Sequence, residues 1–561
     1  MEENQKIERN LKIDNRRKII FNFVAIVCIV LFCMANSPKV LQNDTFYTIK
    51  VGEYIAQNGI KNLTTDVFSW HELPYTYPHW LYDLGIYTIY NNFGQTGIYF
   101  STMIFYSILG ISVYILCNKK SKNMIVSFAL TVGAMYLVEP YVAARAQLVT
   151  FILFVWTVYC IEKFLETHKI RYAIFLVIIP LIITNLHCAV FPFYFVLYLP
   201  YIAEYFLILL ENVDLDRRVL SLILIILKKV SYKAENKEKY DKKIERLKED
   251  ISERKRKRVI LRENPYRIKV KKNNYIWLLI IIMAISALTG FLNPAGNGAY
   301  TYLYKTMKGN TTSSINEHLP LTLYDDKKFA ITLVIFIAIL IFTDTKIKLA
   351  DLFMFSGLVF LTFKSRRQES MYLLFCTPIL ATMISDFFEK YDKNTCKKIL
   401  KFFSGWFGAT VLVCVFILVS IKIVKPKLKE DYIDSNSYPV EPSKWILANL
   451  DIENMKLFNE YNYGSYLLFE GIPVFIDSRC DLYSPEFNED IENGIEGRDI
   501  FSDTLNIDNL SVDYNSKFEE YGVTHIILYA DSKLAMIMEK DSGYKLLYNA
   551  NNFKIFERIE K

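Results

Sequence analysis

The chain has 561 residues, 52% hydrophobic and 15% aromatic, with a formal charge of +7. That length exceeds one ordinary soluble domain, and the apolar content is high for a water-soluble fold, so a membrane protein is the default reading. The positive excess sits mainly in one segment beside apolar runs, which points to membrane orientation and away from a nucleic-acid partner.

In chain order, the first apolar run, Ile19–Ala35, has a basic flank. It is too long for a typical signal peptide and reads as a span, a cut near "CMANSP" being the alternative. "NDTFYTIKVGEYIAQNGI" follows and predicts an amphipathic helix with Tyr47, Val51, Tyr54 and Ile55 on one face and Asp44 as its N-cap. After "DVFSWHELPYTYPH", Trp80, Leu84 and Tyr87 predict a second such helix. Both are expected to lie flat on the membrane, holding Asp44 and Asp66 near the headgroups. Further apolar runs cover Gly97–Cys117, Met124–Val138, Leu148–Ile161, Tyr172–Leu186, Ala189–Leu210, Tyr275–Leu292, Phe329–Phe342, Leu349–Phe363, Met371–Ser385 and Ile399–Ile421. The total is about eleven spans, a few shorter than the roughly 20 residues of a straight crossing. Nine cysteines have no metal or redox spacing and read as small core residues.

Eleven crossings from a cytoplasmic N-terminus place "RNLKIDNRRK", "NKKSKN", "EKFLETHKIRY", "TDTKIK", "EKYDKNTCKK" and the charged insert 211–274 on one side, as the positive-inside rule asks. The outer side then receives the loops 36–96, 293–328 and 364–370, where "KSRRQE" is a basic exception, and everything after residue 421. The fold class expected is a polytopic α-helical membrane protein with a C-terminal extracytoplasmic α/β domain. Its parts are a transmembrane unit 1–421, a linker 422–438 and an exported unit 439–561. In the last, "MKLFNEY", "IPVFIDS", "VTHIILYA" and "YKLLYNANNFKIFER" read as strands, and "YPVEPSKWILANL" and "DSKLAMIMEK" as helices. The insert reads as a solvated, positively charged helix or coil near anionic lipid.

The predicted outer edges carry Asp44, Asp66, Glu139, Arg145, Gln147, Asn185, His187, Asn293, Glu317, Arg366 and Arg367. Singly each is an ordinary snorkelling or capping group; together they suggest a polar cavity opening outward. A carboxylate there can act as a base toward a hydroxyl or as a metal ligand, and arginine matches phosphate. His71, Glu72 and His79 in "HELPYTYPH" are spaced unlike the helical zinc motif. No cofactor is certain; a divalent metal is the one the carboxylates admit. In the tail, Asp477, Arg479 and Asp481 of "FIDSRCDLYS" either hold an acceptor sugar or pair among themselves.

The run "NDTFYTIKVGEYIAQNGIKNLTTDVFSW…PHWLYDLGIY" resembles the first outer loop of bacterial GT-C-fold membrane glycosyltransferases. "ARAQL", "NLHC", "LNPAG", "NEHLP", "RQESMYLLFCTP" and the tail "WILANL…LFNEYNYGSYLLFEGIPVFIDSRCDLYSPE" follow in the order of that family. Its relatives include protein O-mannosyltransferases, oligosaccharyltransferases and aminoarabinose transferases. The sequence departs from the pattern at Thr48, where a histidine is common, and at Ala146, where proline is usual. The resemblance implies transfer of a sugar from a polyprenyl-phosphate-linked donor to a glycan, lipid or protein acceptor at the outer face of the cytoplasmic membrane. It implies Asp44 as the catalytic acid, with Asp66 or Glu139 as a second. Arg145, Gln147, His187, Glu317 and Arg367 are the substrate-binding candidates. Competing readings are a flippase or transporter of lipid-linked glycans, a polymerase or ligase, and a non-catalytic scaffold; the transporter would call for internal symmetry, which the sequence lacks.

Overall fold

The computed structural model describes residues 2–60, 65–74, 78–213, 215–233, 237–263, 268–270, 273–309, 311–324, 326–488 and 498–559. Parts of the predicted first outer loop (61–64 and 75–77) and of the basic insert (214, 234–236, 264–267, 271–272) therefore lie outside the described residues.

The chain is mostly helical, and seven helices are long and apolar enough to cross a membrane: Ile13–Asn36, Trp80–Ser121, Met124–Tyr141, Ala146–Thr167, Cys188–Leu209, Arg366–Tyr391 and Trp406–Lys427. The remaining four apolar runs are helical too, at Ile170–Leu186, Ile276–Leu288, Lys327–Phe342 and Leu349–Lys364. Each of these is shorter than the roughly 20 residues that a straight crossing takes. Seven helices thus meet the length criterion, against about eleven expected spans.

Loops expected on a common side do meet. At one end of the bundle Lys120 reaches Glu162 at 3.2 Å and also pairs with Asp351, and Lys269 reaches Asp386 at 3.0 Å. Ile268–Lys269 pairs in parallel with Ile347–Lys348 there. At the opposite end Trp80 donates to Asn185 at 3.2 Å, and Arg366 donates to Asn316 at 2.7 Å.

The 42-residue helix Trp80–Ser121 is broken at Gly94 (φ 60°, ψ −157°), a conformation that only glycine adopts without strain. The break separates an end piece, Trp80–Phe93, from the apolar remainder. Against that piece lies the helix Asn43–Asn58. The two approach so closely that a Cβ on Gly52 would sit 2.1 Å from the carbonyl oxygen of Asp83. The other face of Asn43–Asn58 packs on the C-terminal part of the chain, with Phe46 edge-on to Tyr438 and Tyr466 at ring distances of 5.0 and 5.1 Å. This helix is therefore walled in by protein, where a flat interfacial position was expected. Its N-cap is Gln42, not Asp44, which falls in the first turn.

Residues 440–558 contain a four-stranded sheet with spatial order Leu457–Asn459, His525–Tyr529, Phe553–Arg558, Tyr544–Ala550. The first pair is parallel and the others antiparallel. Helices Val440–Asn449 and Lys533–Met538 occur as predicted. The expected strand at Ile472–Ser478 is not one. Its Val474 instead bridges Ser69 in the loop before Trp80, and the buried Asn459 side chain bonds the backbone at Phe475 (2.9 Å) and Ile476 (2.7 Å) in place of a neighbouring strand.

Candidate functional site

A cavity of about 590 Å³ lies where the bundle end, the helix Asn43–Asn58 and the C-terminal part converge. Its wall changes character along its length. Gln147, Thr150, Phe151 and Phe154 step down successive turns of the helix Ala146–Thr167, so polar groups sit at the helix start and aromatic ones deeper in. Phe193, Val196, Leu303 and Leu361 continue the apolar part. Asp44, Tyr47, His79, His187, Arg367 and Asp481 supply the polar part.

Asp44 sits in the first turn of its helix, where the helix dipole favours an anion. Its carboxylate lies 2.9 Å from Nε of Arg145, which also faces Glu317 at 3.5 Å. Arg145 caps the start of Ala146–Thr167 from behind Asp44 and is not one of the cavity-lining residues. Burial opposes the charge of Arg145, but Asp44 and then Glu317 outweigh it and hold its pKa above the ordinary value.

Beside Asp44, one turn along the same helix, the Tyr47 hydroxyl lies 2.9 Å from Nε2 of His79. Nδ1 of His79 lies 2.6 Å from Asp83, whose side chain is fully buried. Helical spacing places this pair, since His79 caps the helix that carries Asp83 four positions on. Burial disfavours a charged His79 ring, yet the charge and hydrogen bond of Asp83 prevail and raise its pKa above the usual histidine value. His187, with its ring centroid 6.3 Å from that of His79, goes the other way: burial, then His79 and Arg367, hold it well below. It bonds Thr150 at 3.0 Å. Two neighbouring imidazoles are thus pushed apart in basicity.

The remaining candidates divide. Gln147, His187, Arg367 and Asp481 line the cavity together with Asp44. Asp481 bonds Thr306 at 3.0 Å, and burial pushes its pKa up. Arg479 both touches the cavity and closes a buried cluster: it reaches Asp66 at 2.6 Å and Asp477 at 2.6 and 2.9 Å, while Tyr483 donates to Asp477 at 2.6 Å. Asp66 and Asp477 are consumed in this clamp and do not face the cavity. Glu139 opens a short 3-10 turn and is outside the lining as well.

Tyr47, Thr150, Asp83 and His318 line or back the cavity without standing out as functional in the sequence, where His79 figures only in a spacing unlike a zinc motif. The spacing of His79 and Asp83 in "HWLYD" was the available signal. Among the described residues no group of three or more His, Cys, Asp or Glu is arranged to hold a metal ion. The carboxylates nearest the cavity, Asp44 and Asp481, are instead committed to Arg145 and Thr306. The chain matches no protein-family model and no curated relative.

Proposed function

We propose that this is a membrane glycosyltransferase that moves a sugar from a polyprenyl-phosphate-linked donor to a hydroxyl acceptor at the outer face of the membrane. The observation that carries the reading is one continuous cavity with an apolar part among bundle helices and a polar part bearing Arg367, Asp44 and the two histidines. A lipid-linked sugar has the same division: an isoprenoid tail, an anionic phosphate and a hydroxyl-rich head. The apolar side chains take the first isoprene units, and Arg367, with its planar fork of donors, takes the phosphate. Asp44, fixed by Arg145, meets the acceptor hydroxyl as the candidate base. Gln147 and Asp481 are placed for sugar hydroxyls.

In this reading the basic bundle end is cytoplasmic and residues 440–558 form an exported domain that roofs the cavity. The test is a comparison of surface glycans and extracted lipid-linked sugars from a deletion strain and its parent. Accumulation of one polyprenyl-linked sugar, with loss of that sugar from a surface glycan, is expected. Identical profiles would remove the proposal.

A further inference from the structure

Tyr47, His79 and Asp83 form a hydrogen-bonded chain whose geometry has a direction. Asp83, fully enclosed, lies 2.6 Å from Nδ1 of His79; with the Nδ1 proton donated to that carboxylate, Nε2 presents its lone pair to the Tyr47 hydroxyl at 2.9 Å. Tyr47 and His79 both line the cavity, and Asp83 stands behind them. Asp44 and Tyr47 are three residues apart on one helix, so a hydroxyl that reaches the Asp44 carboxylate lies beside Tyr47.

We propose that Tyr47 and His79 form the proton relay of the transfer, with Asp83 as the buried group that orients His79 and stabilises its charged form. The inference rests on the glycosyl-transfer reading above. It reassigns the proton: Asp44 binds and aligns the acceptor hydroxyl, and His79 holds the proton at the end of the step. As the acceptor oxygen attacks the anomeric carbon, its O–H bond breaks and the proton passes to the Tyr47 oxygen. The proton of Tyr47 moves to Nε2 of His79 in concert. The electron pair released from the acceptor forms the new glycosidic bond. The bond between the anomeric carbon and the phosphate oxygen breaks with its electrons, which leave on the polyprenyl phosphate. The imidazolium, paired with Asp83, returns its proton to water when the products depart. A general base works best when its pKa lies near the operating pH. Asp83 on its own helix and Asp44 on the neighbouring one favour the charged ring, while burial opposes it. His187, the other titratable ring in contact, stays uncharged and adds no competing cation. Tyr47 is the group that touches substrate; His79 and Asp83 act through it.

The experiment measures sugar transfer by membranes of a deletion strain carrying wild-type or variant chains. Radiolabelled undecaprenyl-phosphate-linked hexoses serve as donors and the membranes' own glycans as acceptors, between about pH 5 and pH 9. Wild type should lose activity toward acid as His79 becomes protonated. His79→Gln should lower turnover about a hundredfold, abolish that acidic limb and leave binding of undecaprenyl phosphate unchanged. Tyr47→Phe preserves the ring packing and guards against misfolding of the histidine variant; it should lower turnover by a similar factor with an unchanged donor KM. A wild-type rate with the wild-type acidic limb in either variant overturns the relay and leaves the transferase reading standing. Failure of the wild-type chain to transfer from any donor overturns both.

Discussion

Arg479 donates to Asp66 across 2.6 Å, although the two residues are 413 positions apart in the chain. With Asp477 and Tyr483 they make a buried cluster that ties the segment before Trp80 to the C-terminal part, beside the cavity. The desolvation cost of burying these charges is offset only while all partners are present. Arg479→Met is expected to destabilise the protein by about 3–5 kcal/mol, because it strands two carboxylates. Thermal or denaturant unfolding of the purified chain measures it, and a loss below about 1 kcal/mol would show that the cluster is not the tie described.

Asp44→Asn separates structure from chemistry. Asn leaves the Gln42 cap position untouched but removes the charge that faces Arg145, so the variant should fold, with a modest loss of stability. Transfer should fall about a hundredfold, through loss of the anion that aligns the acceptor. Asp66→Asn should behave oppositely, lowering stability while sparing the rate per folded molecule. Equal transfer by Asp44→Asn and wild type would take Asp44 out of the site.

Gly52→Ala tests the helix crossing that brings Tyr47 to His79. The added Cβ has no room against the Asp83 carbonyl, at 2.1 Å, so one helix must shift. Overpacking of this kind costs about 1–3 kcal/mol. Reduced stability together with reduced transfer is expected; unchanged values for both would mean that the two helices are free to separate.

His71 predicts an acid-sensitive fold. Burial, opposed by its hydrogen bond to the Phe475 carbonyl, lowers its pKa to about 3. The folded state therefore holds it neutral, while the unfolded chain takes up a proton near the ordinary pKa of about 6.5. The sign follows from linkage: the stability is fully present above about pH 6.5 and declines as pH falls toward about 3. His71→Gln keeps a donor for Phe475 and should flatten that decline in unfolding experiments across the window. An unaltered slope would assign the acid sensitivity to other groups.

The helical framework was legible because apolar runs announce themselves by length, and each run proposed is mainly helical, Ile399–Ile421 being split by a break at Ser404–Gly405. What escaped was set by contacts distant in sequence. Ile472–Ser478 has strand composition, yet its backbone is satisfied by Asn459 and by the loop before Trp80, which no local pattern encodes. Asp44 looked like a cap because it follows an apolar run, and Gln42 took the cap only because the helix begins earlier. The cavity gathers Asp44, Gln147, His187 and Arg367 from the bundle end and Asp481 from the C-terminal part, while Glu139, Arg145 and Glu317 stay outside its lining. Asp66 and Asp477 had the same appearance in sequence but were claimed by Arg479, a pairing that depends on tertiary placement. His79 and Asp83 were readable as a helical pair, but the value of the pair comes from Tyr47 on another helix.

Occupancy of the cavity by a polyprenyl phosphate can be read by photocrosslinking. The purified chain is incubated with a photoactivatable polyprenyl phosphate, irradiated, and the labelled residues are mapped by mass spectrometry. The account predicts label on cavity residues such as Phe154, Phe193, Val196 and Leu361. It also predicts that excess undecaprenyl phosphate suppresses that label. Label confined to exposed apolar residues such as Leu278, Ile281 and Ile285, with none in the cavity, would contradict it.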